Sequence, residues 1–158
     1  MPRVYEHMIR EPVGNCDPRP AICVHPDTQV ADAIALMKQH SCGCVLVQAG
    51  DRLLGIFTER DVLLRVAGAG LDTRRTVVSS VMTPDPETLT MRDELAWVLN
   101  LMAVGGFRHV PIVDDAGKPI AIVSMQHIVE RLVECFPKAV LTLPPRPGAD
   151  IAHTREGA

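Results

Sequence analysis

The feature that most restricts the fold of this 158-residue chain is an internal repeat of about 60 residues. The same order of predicted elements, strand–helix–strand–strand–helix, occurs twice. Met37 aligns with Met102 at a shift of 65 positions, and Gly55 aligns with Ala121 at a shift of 66. The one-residue difference falls in a hairpin turn, where changes of length are tolerated. A copy of this size has too little interior to be stable alone, so we expect two copies packed face to face, with clefts where they meet.

The periodicity of apolar residues places the predicted elements within each copy. The first copy should hold strands at 21–24, 44–48 and 53–57 and helices at 29–40 and 59–67. The second should hold strands at 88–90, 109–113 and 119–123, and a final helix at 125–135. Thr28, Thr58, Asp93 and Ser124 stand where helix caps are expected.

Five segments follow from this pattern: an N-terminal arm at 1–20, repeat 1 at 21–70, a connector at 71–80, repeat 2 at 81–135 and a proline-rich tail at 136–158. Tyr5, Met8 and Ile9 could line one face of a short helix in the arm. In the tail, Val140 to Leu143 could lie against the body, and the remainder is expected to be mobile.

Composition excludes several classes of function. The net charge of -3 and the 3% aromatic content argue against a nucleic-acid surface. No apolar stretch approaches the roughly 18 residues of a membrane span, and the charged N-terminus has no secretory core, so we expect a cytoplasmic protein. Cys42 and Cys44 invite a metal or redox interpretation, but their spacing is unlike that of zinc knuckles, and burial in a strand explains them better.

The junction between the predicted strand 53–57 and the helix after it has two interpretations. Thr58 and Asp61 are three positions apart, and a hydroxyl and a carboxylate at that spacing can cap a helix. The same two groups could also face a cleft and bind the hydroxyls of a ligand. Asp61 decides between them if a cap needs only the hydroxyl, because folding would then leave the carboxylate unexplained.

Three stretches together resemble the CBS-domain pair, the cystathionine-beta-synthase-type regulatory module. They are Val81-Met82-Thr83-Pro84, Phe107-Arg108-His109-Val110-Pro111-Ile112-Val113-Asp114 and Gly55-Ile56-Phe57-Thr58-Glu59-Arg60-Asp61. The resemblance covers roughly residues 20 to 135. It implies an α+β fold in which two tandem β-α-β-β-α repeats form a pseudo-two-fold pair, with small mixed sheets flanked by helices. It also implies an adenosine-containing ligand, such as AMP, ADP, ATP or S-adenosylmethionine, in the cleft between the copies.

The resemblance carries ligand roles onto particular residues. Thr58 and Asp61 would hold the ribose, Arg108 and His109 would meet phosphates, and Ile22 and Pro111 would complete the site. The alternative is that Arg108 is a solvated surface charge and that His109 is a satisfied residue at the start of a strand.

The second copy departs from the family pattern. Ser124 keeps the hydroxyl, but His127 stands where the first copy has the ribose-binding carboxylate. Neutral imidazole offers one acceptor where a carboxylate offers several. We therefore predict one competent site at Thr58 and Asp61, and a second site at Ser124 and His127 that is weak or empty.

The leading functional hypothesis is a non-enzymatic regulatory protein, without a required cofactor, that binds an adenosine nucleotide and acts on an unidentified protein. The alternative is a structural or interaction module with a vestigial nucleotide site. No nucleophile–base constellation or phosphate-binding glycine run supports an enzyme. The apolar runs Val62 to Val66 and Ile128 to Val133 exceed what one core face needs, so we expect a homodimer. The alternative is that these runs are buried within one chain.

Overall fold

The computed structural model describes residues 2–135 and the side chains of residues 6–134. The tail, with its expected contact at Val140 to Leu143, lies outside the described residues. The helices are α1 (Pro2–Ile9), α2 (Val30–Gln39), α3 (Glu59–Asp61), α4 (Leu95–Gly105) and α5 (Met125–Cys135). Helix α3 continues as a π-helical segment, Val62–Ala67, and short 3-10 turns occur at Val13–Cys16 and Val78–Ser80. Within residues 2–135, no helix is long and apolar enough to cross a bilayer.

The strands form two small sheets. They are β1 (Arg19–Pro20), β2 (Cys23–Val24), β3 (Cys44–Ala49), β4 (Arg52–Thr58), β5 (Thr83–Pro84), β6 (His109–Val113) and β7 (Pro119–Ser124). One sheet has the order β2-β3-β4-β5 and is mixed, since β2 and β3 are parallel. The other has the order β1-β7-β6, with a parallel bridge from Leu89 to Ile112 at its far edge. This is the predicted α+β fold of two tandem β-α-β-β-α repeats.

The two sheets exchange their edge strands. Strand β1 precedes the first repeat but pairs with β7 of the second, so that Arg19 lies opposite Ile122. Strand β5 precedes the helix of the second repeat but pairs with β4 of the first, so that Thr83 lies opposite Ile56. The exchange is reciprocal, because Ile56 and Ile122 are equivalent positions of the two copies. Each sheet is therefore built from both halves of the chain.

Three apolar clusters hold the molecule together. Each repeat has its own core between its helices and one face of its sheet, with Phe57 fully buried in the first and Ile112 in the second. A third cluster of Cys44, Leu46, Ile56 and Ile122 joins the two sheets. Burying apolar surface on both faces of the sheets is what the continuous apolar runs of β3 and β4 predict.

The N-terminal arm packs on the second repeat. Helix α1 lies against α4, and Val13 and Cys16 enter the core that contains Leu95. The carboxylate of Glu11 accepts a hydrogen bond of 2.8 Å from the guanidinium of Arg131. The connector packs on the first repeat in an equivalent way, since its Val78 lies in that core together with Val81, the first residue of repeat 2. The domain boundaries given above stay a prediction.

Four local predictions were wrong. The strand at 88–90 is reduced to the single bridge at Leu89, and the strand at 21–24 is shortened to β2. Thr28 does not cap α2, whose N-cap is Gln29 without a side-chain bond. Asp93 does not cap α4 either, because its carboxylate accepts from the backbone and hydroxyl of Thr90 and closes the turn before the helix.

Candidate functional site

Two clefts open between the repeats, one at the start of α3 and one at the start of α5. The Asp61 cleft, of about 490 Å³, is lined by Thr58, Asp61 and Arg65, by the segment 83–87 and by the end of α4 with Arg108 and His109. The His127 cleft, of about 1070 Å³, is lined by Ser124 and His127, by residues 19–22, by the end of α2 with Gly43, and again by Arg108 and His109. Because the repeats are equivalent, the two clefts are built from equivalent elements.

Asp61 begins α3 as part of a reciprocal cap. Its Oδ2 accepts from the backbone N–H of Thr58 at 2.9 Å and from the Thr58 hydroxyl at 3.0 Å. The backbone N–H of Asp61 in turn donates to the Thr58 hydroxyl at 3.3 Å. This is a capping box, with both residues satisfying N–H groups that the helix leaves free. The carboxylate is buried, with 6% of the residue exposed, so its bonds are made away from bulk water.

The second oxygen of Asp61 is held more loosely. Its Oδ1 accepts from the Thr83 hydroxyl at 3.3 Å and lies 3.5 Å from Arg65 Nε. Arg65 also donates through Nη1 to the carbonyls of Val81 and Met82, and so ties α3 to the segment that leads into β5. Both contacts of Oδ1 are longer than the usual 2.7–2.9 Å of charge-assisted bonds. Of the two oxygens of Asp61, Oδ1 thus has the longer contacts.

His127 makes the corresponding contact at the start of α5. Its Nδ1 accepts from the backbone N–H of Ser124 at 3.0 Å, and the N–H of His127 donates to the Ser124 hydroxyl at 3.5 Å. The expectation that a cap needs only the hydroxyl was therefore wrong. In both repeats, the side chain three residues after the hydroxyl accepts from the backbone N–H of the capping residue. The cap therefore accounts for the contact between Asp61 Oδ2 and the Thr58 backbone. Burial first, and Arg19 second, lower the pKa of His127, and Glu130 and Asp17 oppose this.

Arg108 and His109 line both clefts. The ring of His109 approaches Gly43 of the first repeat so closely that a Cβ there would lie 2.8 Å from His109 Nε2. Burial and the neighbouring Arg108 lower the pKa of His109, while Glu59 favours its protonated form. The neutral form of the ring is therefore favoured, and the ring lies at the contact between the two repeats.

The other predicted site residues are divided. The structure brings Thr58, Asp61, Arg108 and His109 to one cleft, whereas Ile22 lies in the other cleft with Ser124 and His127. Pro111 lines neither of these two clefts, because it is buried in β6 opposite Ile122. Their roles toward a ligand stay predictions.

Several lining residues were missed from the sequence. Arg65 and Thr83 contact Asp61, and Arg19 and Lys38 line the His127 cleft. The spacing of four between Asp61 and Arg65 on a predicted helix was an available signal. The local sequence does not show that Arg19 and Thr83 line the clefts, because the exchange of β1 and β5 brings them there.

The cysteines form no metal site among the described residues. Cys42 donates through Sγ to the carbonyl of Cys44 at 3.3 Å, and Cys44 is buried in β3. Burial raises the pKa of the Cys44 thiol, so the group stays protonated and unreactive.

Comparisons with known proteins agree with this architecture. The family described as CBS domain matches residues 5–68 and 78–134. The CBS domain-containing protein CBSCBSPB1 of Arabidopsis thaliana is 33% identical over 110 residues, which are 70% of this chain and 20% of that protein. The chain thus matches about one fifth of the length of such relatives.

Solved structures show the same fold. A CBS-domain protein of Agrobacterium tumefaciens has a TM-score of 0.70 and 29% identity, over 77% of this chain and 99% of that one. The crystal structure of CBSX2 in complex with AMP has a TM-score of 0.66 and 25% identity, over 79% of this chain and 98% of that one.

Proposed function

The chain belongs to the CBS-domain family, and we propose that it is a non-enzymatic regulatory protein that binds an adenosine-containing ligand in the Asp61 cleft. One observation carries the proposal: a hydroxyl and a carboxylate from the first repeat share a cleft with a guanidinium and an imidazole from the second. A ligand with a sugar diol at one end and phosphate at the other fits this arrangement. The AMP bound to CBSX2 supports the same class of ligand.

The ribose would be held by Oδ1 of Asp61. Oδ2 is committed to the cap, whereas Oδ1 has only the long contacts to Thr83 and Arg65. A ribose hydroxyl that donates to Oδ1 would replace these contacts with a shorter charge-assisted bond. Arg108 is exposed and offers a planar fork for phosphate oxygens. Ligand that contacts both residues would join the two repeats.

Regulation requires the ligand to favour one arrangement of the repeats over another. Because the cleft walls come from both repeats, a bound ligand would bias their relative position. In our proposal, the surface that reports this change is formed by exposed apolar side chains on the π-helical segment after α3 and on α5: Leu63, Leu64, Val129 and Leu132. We propose that these side chains also mediate a homodimer, and that the protein acts in the cytoplasm. Light scattering would test whether the protein is a dimer.

A second candidate function is a structural module with a vestigial site. The capping box favours it, because holding the start of α3 already gives Asp61 a role without any ligand. The two functions differ in whether a ligand stabilises the protein.

Thermal unfolding with AMP, ADP, ATP, S-adenosylmethionine and GTP separates them. A ligand at 100 times its Kd adds about 2.7 kcal/mol of stability, or roughly 5–10 °C in Tm for a chain of this size. Asp61→Asn keeps one carbonyl oxygen for the cap but removes the charge, so the AMP-induced shift should fall to near zero. Asp85→Asn removes an exposed charge from the same cleft and is the matched control, with the shift retained.

If no adenosine ligand shifts the wild-type Tm, or if Asp61→Asn retains the full AMP-induced shift, the Asp61 cleft is not an adenosine site and the structural module is preferred.

A further inference from the structure

The two clefts have opposite hydrogen-bonding character at equivalent positions. In the Asp61 cleft, the helix begins with a buried carboxylate that accepts hydrogen bonds and cannot donate. In the His127 cleft, the equivalent side chain is a buried imidazole. A carboxylate suits the hydroxyls of a sugar, whereas the hydrogen-bonding role of an imidazole depends on which ring nitrogen carries the hydrogen.

The capping bond fixes the tautomer of this imidazole. Ser124 donates its backbone N–H to His127 Nδ1, so Nδ1 carries no hydrogen. In the neutral ring the hydrogen must then be on Nε2. The nitrogen of His127 that remains for a ligand is therefore an N–H donor. It cannot accept from a ribose hydroxyl, but it can donate to an anionic oxygen.

The charges of the clefts differ in the same sense. Arg19, Lys38 and Arg108 line the His127 cleft against the single carboxylate of Glu59. The Asp61 cleft is balanced by contrast, with three arginines (Arg60, Arg65, Arg108) and three carboxylates (Asp61, Asp85, Glu87). Burial and then Arg19 lower the pKa of the His127 ring, whereas Glu130 and Asp17 act in the opposite sense. A cleft of about 1070 Å³ with two excess positive charges has room for an extended anion.

We propose that the His127 cleft is a second binding site, which recognises a chain of phosphates through N–H donors and cations and does not require a sugar diol. In this proposal the cleft is not a weak copy of the nucleotide site, because the replacement of Asp by His changes the class of ligand. The proposal does not depend on adenosine binding in the Asp61 cleft. The phosphates could belong to inorganic polyphosphate or to a nucleoside triphosphate, since both present the same oxygens.

Isothermal titration with inorganic tripolyphosphate tests the site directly. His127→Asp keeps an acceptor for the Ser124 N–H, as Asp61 does for Thr58, so α5 keeps its cap while the cleft loses its donor and gains a negative charge. We expect tripolyphosphate affinity to fall at least tenfold in this variant. Arg19→Ala and Lys38→Ala should each weaken binding severalfold, because both side chains are exposed and line the cleft.

Two matched controls should bind as the wild type does. Asp61→Asn alters only the other cleft, and Lys118→Ala removes an exposed cation whose partner is Asp51, outside both clefts. Titration with 2′,3′-dideoxyadenosine triphosphate distinguishes the two sources of phosphate. Equal affinity for both ligands indicates recognition of phosphate alone, and tighter binding of the nucleotide adds a contribution from the base; either result agrees with a site that needs no diol.

Three results would overturn the proposal: no binding of tripolyphosphate, binding that His127→Asp leaves unchanged, or binding that Asp61→Asn abolishes. The adenosine proposal is judged from the AMP-induced shift of Asp61→Asn, so the two can fail separately.

Discussion

Protonation of His127 is expected to destabilise the start of α5. The backbone N–H of Ser124 donates to Nδ1 at 3.0 Å, and a protonated ring would place a second N–H against that donor. The cap would lose its acceptor, and a charge would be created on a residue that is 7% exposed. Losing a cap contact of this kind costs about 1–2 kcal/mol. For a chain of this size that corresponds to a fall in Tm of roughly 2–8 °C.

The direction of the effect follows from the lowered pKa of His127 in the folded protein. Burial and Arg19 lower this pKa below its ordinary value of 6.5, while Glu130 and Asp17 partly oppose them. The unfolded chain therefore binds the proton more tightly than the folded one. The stabilisation is fully present above pH 6.5 and is lost as the pH falls through the lower folded pKa. His109 titrates in the same direction, with a pKa lowered by burial and by Arg108.

Comparison of the wild type with His127→Asn tests the contribution of His127. The asparagine oxygen accepts from Ser124 at every pH, so this variant should lose less stability than the wild type between about pH 7.5 and pH 5. Urea unfolding at each pH gives the two free energies. Because His127 is one of the groups that lower the pKa of His109, the variant also removes part of that shift, and this reduces its loss of stability in acid further. Equal slopes for His127→Asn and the wild type would refute this account of the cap.

Three further changes probe the fold and the cleft. Gly55→Ala should lower the free energy of unfolding, measured by urea titration, by about 1–3 kcal/mol. The reason is that the alanine Cβ would overlap Met82 Sδ and lie 2.9 Å from the carbonyl oxygen of Thr83. An unchanged unfolding midpoint would contradict this close packing. Phe57→Ala should cost about 3–5 kcal/mol, against little for Trp97→Ala, since these residues are 0% and 60% exposed; calorimetry showing similar losses would place Phe57 outside the core. Arg65→Gln should weaken the tie between α3 and the carbonyls before β5 and increase hydrogen exchange at the Thr83 amide; unchanged protection would show that Arg65 does not hold this segment.

The parts of the fold that could be predicted are those determined by the spacing of residues close together in the sequence. The alternation of apolar residues and turns located β3, β4, β6 and β7, and the helical spacing located α2 and α5. The repeat predicted two packed copies with clefts between them, because each copy alone lacks a sufficient core. The cap at Thr58 was likewise readable, since hydroxyl and carboxylate stand three positions apart.

What could not be predicted depends on contacts between distant segments. A strand of two residues, such as β1 or β5, has no periodicity of its own, and its partner is set by tertiary packing. The assignment of Ile22 to one cleft and of Thr83 to the other follows from that pairing. The capping role of His127 is not visible in the sequence pattern, because imidazole differs from carboxylate as a ligand for ribose and yet accepts from the backbone of Ser124 through Nδ1.

The exchange of edge strands also bears on how the molecule assembles. Arg19 pairs with Ile122, more than 100 positions away, so the second sheet cannot be finished until the first and last parts of the described chain have met. The two halves should therefore form as one cooperative unit. A chain cut beside the exposed Gly70 would give two fragments. The first would carry β1 and the arm residues that complete the sheet and core of the second repeat, and the second would carry β5 and the residues that complete those of the first. Neither fragment should fold alone, and mixing them should restore a complete protein without any peptide bond between the repeats.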